Sequence, residues 1–112
     1  MLSLNIIFQI LTIHWIADFI WQSDWMAINK STKVSALLAH VGFYSVGLFI
    51  MFGWEFALIN GVAHFVIDFF SSKATSYLWK KEERHWFFVT IGFDQALHYT
   101  VLFCTALYLN LH

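Results

Sequence analysis

The sequence predicts an all-α protein, a four-helix transmembrane bundle, and three observations predict it. Of 112 residues, 60% are hydrophobic and 12% charged, with no proline; soluble domains carry roughly 25% charged residues. Four apolar stretches have about the 20 residues that a helix needs to cross a hydrocarbon core of roughly 30 Å. All six basic residues, Lys30, Lys33, Lys73, Lys80, Lys81 and Arg84, fall between those stretches. The length suits a single domain, residues 1–112.

The first expected span is 2–21. Its opening residues, Met1-Leu2-Ser3-Leu4-Asn5, lack the positive segment of a secretory signal, so it reads as a retained helix. Asn5, Gln9, His14 and Asp18 require that it pack against partners, and Gln22 continues the His14, Asp18 face. Residues 22–33 mix polar and apolar types and read as a short interfacial segment, with Trp21 and Trp25 at headgroup level. The second span is 34–53, where Ser35, Ala36, Ala39 and Gly42 are small enough for close helix approach. Gly53-Trp54-Glu55 is a tight turn into the third span, 54–71, so the two form an antiparallel hairpin. That helix is expected to run on at the interface to Lys80 and Lys81, with Glu82 to His85 as a loop. The fourth span is 86–109, and His112 is terminal.

Orientation follows from the basic residues. They lie only in the first and third loops, which the positive-inside rule places in the cytoplasm, with both termini outside. The expected setting is the inner membrane of a bacterium, crossed several times. The formal net charge of −1 and the lack of a basic stripe argue against a nucleic-acid partner. The partners expected are the lipid bilayer and a second copy or another membrane protein. The single Cys104 rules out an internal disulfide and a cysteine-rich metal site.

The chemistry concentrates in a repeated pattern. His14-xxx-Asp18-Phe19 recurs as His64-xxx-Asp68-Phe69, 50 residues on in the same direction. This spacing puts imidazole and carboxylate one above the other on a helix face, and the repeat points to duplication of a helical hairpin. Thr90, Asp94 and His98 form a further stripe, and His40 sits early in the second span. Counted from the cytoplasmic ends, His14, Asp18, His40, His64, Asp68, Asp94 and His98 all fall one to three turns deep, in one layer.

No lysine or arginine lies in any expected span, so three aspartates need relief from the cost of burying charge. Protonated carboxylates, protonated histidines or a divalent cation would each supply it. Four imidazoles and three carboxylates suit zinc, manganese or iron, and two such ions would roughly balance the charge. The opposing reading is interhelical hydrogen bonding without function.

The pattern His14-xxx-Asp18-Phe19, Gln22, Ala27, Lys30, His40, His64-xxx-Asp68, then Asp94-Gln95-xx-His98 resembles a family of small bacterial and phage integral membrane proteins of unknown function. The resemblance covers nearly the whole chain and implies a membrane protein with a polar His/Asp core. Three functions follow from the residues. A membrane-embedded metalloenzyme would hydrolyse a lipid or phosphoester, with His14, His64, Asp68, Asp94 and His98 as first-choice ligands. An ion or proton carrier would use the His/Asp layer as a relay. A non-catalytic effector of the host membrane would use that layer only to hold the bundle together.

Overall fold

A computed structural model of the chain describes residues 1–111 and, over these, is helical without strands. His112 lies outside the described residues. The elements are α1 (Leu4–Trp15), which continues as a π-helical turn (Ile16–Ile20), α2 (Asp24–Asn29), α3 (Val34–Phe52), α4 (Trp54–Lys80) and α5 (Arg84–Tyr108).

Local chemistry explains the boundaries. Ser3 caps α1, its hydroxyl accepting from the Ile6 amide at 3.2 Å, so the helix starts at Leu4 and not at Leu2. The expected uniform helix to Trp21 is corrected at its end. The Trp21 amide donates to the Ile16 carbonyl at 2.8 Å, five residues back, and the widened turn contains Asp18. Ser23 caps α2 in the same way as Ser3 caps α1. One residue, Gly53, separates α3 from α4. Its φ of +93° is a conformation that side chains other than hydrogen disfavour, which is why this junction can be so short. α4 runs unbroken to Lys80, as its sequence implies. α5 starts at Arg84, so His85 belongs to its first turn rather than to a loop.

The side-chain pairs fix the topology. His40 meets His64 across α3 and α4, and Asp68 meets His98 across α4 and α5, so consecutive long helices run antiparallel. α1 packs against α3 and α5. The close approaches differ from expectation. Gly42 faces open space, whereas a Cβ on Gly61 would strike the Ser45 hydroxyl and one on Gly47 would lie 3.0 Å from the Trp21 ring. The tight contacts of α3 are therefore at Ser45 and Gly47, a face that Gly42 does not share.

Burial is inverted relative to a water-soluble bundle. Leu38, Phe43, Phe49, Ile50, Leu58, Val62, Phe70, Phe88 and Phe93 are exposed, while His14, Asp18, His40, His64, Asp68 and His98 are buried. Two helices, Val34–Phe52 and Arg84–Tyr108, are long and apolar enough to cross a membrane. The apolar run of α1 and its π turn is shorter, and the stripe Asn60, His64, Asp68, Ser72 dilutes the apolar character of α4.

An apolar core of Ile6, Ile10, Ile13, Tyr44, Leu48, Phe56 and Leu102 fills the bundle on the side of the chain termini and Gly53. The polar cluster lies beyond it, towards the lysine-bearing connections. Polar residues away from that cluster are satisfied locally. Asn60, Thr90, Thr100 and Thr105 each donate to the carbonyl four residues back in their own helix. Thr90 keeps its i+4 place before Asp94 and His98 on α5, but its hydroxyl bonds within the helix and not to the cluster.

Candidate metal centre

Four side chains from three helical segments converge on one point. The π turn presents Asp18, α3 presents His40, and α4 presents His64 and Asp68 one helical turn apart. His40 Nε2 lies 2.9 Å from Asp18 Oδ1, 3.0 Å from His64 Nε2 and 3.3 Å from Asp68 Oδ2. His64 Nε2 lies 3.2 Å from each of the same two oxygens. All four residues are buried, Asp18 most exposed at 5%.

These spacings have a simple meaning. Ligand atoms held about 2.0–2.1 Å from a tetrahedral ion lie roughly 3.3 Å apart. Five of the six edges, at 2.9 to 3.3 Å, fall at or just below that length. Hydrogen bonds alone serve the quartet poorly. Two N–H groups aimed at each other across 3.0 Å repel. Two unprotonated nitrogens leave Asp18 Oδ1 without a donor and Asp68 Oδ2 with Lys30 alone, among the described residues. A single N–H must be shared among the other nitrogen and two carboxylate oxygens. A single cation at the centre serves all four atoms together.

Asp68 also reaches outward. Its Oδ1 lies 3.1 Å from His98 Nε2, which is 3.4 Å from Asp94 Oδ1. Asp94 in turn accepts from the Ser71 hydroxyl and from Gln95 Nε2 at 3.1 Å. Thus Asp18, His40, His64 and Asp68 form one group within metal-binding distance, and Asp68, Asp94 and His98 form another.

His14 sits in neither group. Gln95 Nε2 donates to Asp94 and, at 3.3 Å, to Asp18, which turns its Oε1 towards His14. His14 Nε2 must donate to that oxygen, 2.8 Å away, so in the neutral ring Nδ1 accepts from the Tyr44 hydroxyl at 2.9 Å. His14 thus belongs to a hydrogen-bonded chain from Tyr44 through Gln95 to two of the aspartates, and it orients them rather than facing the central point. The two His-xxx-Asp copies consequently differ. His64 points at the same centre as its own Asp68, while His14 Nε2 hydrogen-bonds Gln95 and lies 3.5 Å from the outer oxygen of its own Asp18. The Tyr44 ring also stacks on His64, centroids 4.0 Å apart, and His64 stacks on His98 at 4.1 Å.

Sequence reasoning missed two members of this constellation. Tyr44 sits one turn beyond His40 on α3, and that spacing was the signal that could have found it. Lys30, in the connection after α2, extends its ammonium to 3.3 Å from Asp68 Oδ2. The sequence places this lysine in a polar connection, and nothing in the spacing reveals that α2 folds it back over the site.

The cluster opens on a cleft at the lysine-bearing end. This cleft, of about 200 Å³, is lined by Asp18, Gln22, Lys30, Ser72, Asp94 and Gln95, among others. Through Lys30, Ser72 and Thr75 it adjoins a cavity of about 380 Å³ that also has Ser31, Ser76 and Lys80 in its wall. A larger groove of about 670 Å³ lies on the outer face between α3 and α4, but no ionisable side chain lines it, so the chemistry lies elsewhere.

A family model described as "Protein of unknown function (DUF3307)" matches residues 6–111, nearly the whole chain, and the chain belongs to that family. No curated protein and no solved structure matches it.

Proposed function

We propose that this member of the family is a four-span integral membrane protein that holds a divalent cation between Asp18, His40, His64 and Asp68 and hydrolyses a membrane-associated ester or phosphoester. The observation that carries the reading is the quartet of buried ligand atoms at tetrahedral edge spacing. Zinc, manganese and iron suit a donor set of two imidazoles and two carboxylates.

Membrane insertion is supported by the inverted burial. Apolar side chains cover the outside of α3, α4 and α5, and ionisable ones turn inward, as lipid requires. The basic residues at Lys30, Lys33, Lys73, Lys80, Lys81 and Arg84 all flank the end at which the cleft opens, which orients that end to the cytoplasm. Lys73 donates to the Ser31 carbonyl at 2.7 Å and Arg84 lies 3.7 Å over the Trp79 ring, contacts that suit a headgroup layer.

The chain's own residues divide the work. Asp18, His40, His64 and Asp68 bind; Tyr44, His14 and Gln95 hold the aspartates in place; Lys30, Lys80 and the serines of the adjoining cavity receive an anionic headgroup. A bound divalent ion would supply an activated water and a Lewis acid. Passage of ions across the bundle fits less well. Beyond the cluster lie Ile10, Leu48, Phe56 and Leu102, all fully buried, and they block a polar path to the other face among the described residues.

Elemental analysis of the detergent-purified protein, before and after dialysis against a chelator, tests the reading. Stoichiometric zinc, manganese or iron that is lost to the chelator, with loss of esterase or phosphoesterase activity in mixed micelles, is expected. A protein that takes up no divalent ion at micromolar concentration would leave the cluster as structural hydrogen bonding.

A further inference from the structure

Asp68 does not spend both of its oxygens on the quartet. Oδ2 faces His40 and His64 at 3.3 and 3.2 Å, while Oδ1 faces His98 Nε2 at 3.1 Å. His98 Nε2 lies 3.4 Å from Asp94 Oδ1. We propose that Asp68, Asp94 and His98 form a second divalent-cation position, bridged to the first by the Asp68 carboxylate and open to the cleft. The proposal rests on the metal reading above and extends it from one ion to two.

The geometry separates the two positions by type. The first is surrounded by four protein atoms and buried. The second has three protein ligands, and Asp94 lines the cleft wall, so its remaining directions face open volume. Closed four-ligand sites are typical of structural ions, and three-ligand sites with an open position are typical of catalytic ones. Paired ions about 3.5–4 Å apart, clamping the attacking and leaving oxygens, are a recurring solution for phosphoester hydrolysis. A carboxylate that divides its two oxygens between ligand groups suits such a pair.

A further observation points into the same volume. The Ser72 hydroxyl and the Gln22 amide oxygen are buried, line this cleft and have no hydrogen-bond partner among the described residues. Ser72 is only 6% exposed, so its hydroxyl is a buried polar group in the wall of this cleft without a partner among the described residues.

Charge sets the order of filling. Asp18, Asp68 and Asp94 bring three negative charges, and one divalent ion together with the Lys30 ammonium matches them. A second ion leaves an excess of positive charge beside the cleft. It therefore binds more weakly than the first, and the excess draws a hydroxide or a substrate oxyanion to the open position.

The test is an equilibrium titration of the chelator-stripped full-length protein in detergent with Mn²⁺, read as bound metal per chain and by electron paramagnetic resonance. Wild type is expected to bind two ions, the second at least tenfold more weakly, with a spin-coupled signal appearing as the second fills. Asp94→Asn and His98→Gln are expected to bind one ion and show no coupled signal, with His98→Gln guarding against a folding defect peculiar to the other variant. Saturation of wild type at one ion, or two coupled ions retained in both variants, overturns the second position while leaving the first intact. Binding of no ion by wild type overturns the metal reading itself.

Discussion

The Lys30 ammonium lies 3.3 Å from Asp68 Oδ2, the same oxygen that faces His40 and His64. A cation from a connecting segment thus sits on the edge of the quartet. It relieves part of the carboxylate charge when the centre is empty and competes with an ion that enters. Lys30→Met should therefore act in opposite directions on the two states. Without metal, the variant should be less stable by about 1–3 kcal/mol, because the buried Asp68 carboxylate loses its partly exposed cation. Its affinity for a divalent ion should rise by roughly three- to tenfold, since the site becomes more negative. Thermal melts in detergent, with and without chelator, and a competitive metal titration check both signs.

His14 and His64 are identical in local sequence pattern but differ in role. His64 contributes a nitrogen to the quartet, whereas His14 is engaged by Tyr44 and Gln95. His64→Gln should lose the ion of the quartet. His14→Gln should retain one ion in the quartet with affinity reduced by roughly 10- to 100-fold, the usual cost of losing a group that orients a ligand. Metal content per chain after gel filtration separates the two, and equal loss in both would place His14 among the ligands.

Much of this arrangement was legible in the sequence because helix periodicity is a strong constraint. His64 and Asp68 at i and i+4 had to share a face, and the antiparallel hairpin through Gly53 had to bring His40 to their level. What periodicity could not supply was the handling of Asp18. Asp18 stays beside His14, its Oδ2 3.5 Å from His14 Nε2, and in the π turn from Ile16 to Ile20 its other oxygen also comes to 2.9 Å from His40. A π turn depends on packing as much as on local propensity, so no residue in Ile16–Ile20 announces it. The same holds for Lys30. Its contact depends on how α2 folds back between two caps, and the sequence offers only a lysine in a polar segment. Gly42 suggests a packing residue by its size alone, yet it faces open space, while Gly61 of α4 leaves no room for a Cβ beside Ser45 of α3.

Tryptophan depth provides a test of the membrane setting. Trp25, Trp79 and Trp86 are exposed and flank the lysine-bearing end, so they should lie at headgroup level. Trp21 should be deeper, because its ring packs back along α3 to Gly47, more than three turns from Val34. Single-tryptophan variants in vesicles with depth-graded quenchers should rank Trp21 nearest the bilayer centre of the four. A reporter fused after the last residue should be active only outside the cytoplasm. Cytoplasmic activity of that fusion would reverse the orientation drawn from the six basic residues.

Asp68 is the residue on which the metal and hydrogen-bonding readings part most clearly. It contacts His40, His64, His98 and Lys30, and its side chain is almost wholly buried. Asp68→Asn preserves shape and hydrogen-bonding capacity while removing one negative charge. If the cluster serves only to join helices, the amide can still bond to two imidazoles, and removing a buried charge should leave stability unchanged or raised. If the cluster holds an ion, the substitution removes an anionic ligand, so bound metal should fall well below one per chain at micromolar free concentration. The stabilisation that metal confers on wild type should vanish with it. At a free concentration 100 times Kd that stabilisation is about 2.7 kcal/mol, enough to separate the melting curves of metal-loaded wild type and variant by several degrees. The comparison must be made in both states. Metal-free Asp68→Asn sheds a buried charge but also loses the Lys30 ion pair, so it should melt close to metal-free wild type, and only on adding the ion should wild type clearly overtake it. Metal content and melting temperature unchanged in the variant under both conditions would refute the ion-binding reading and leave the interhelical one standing.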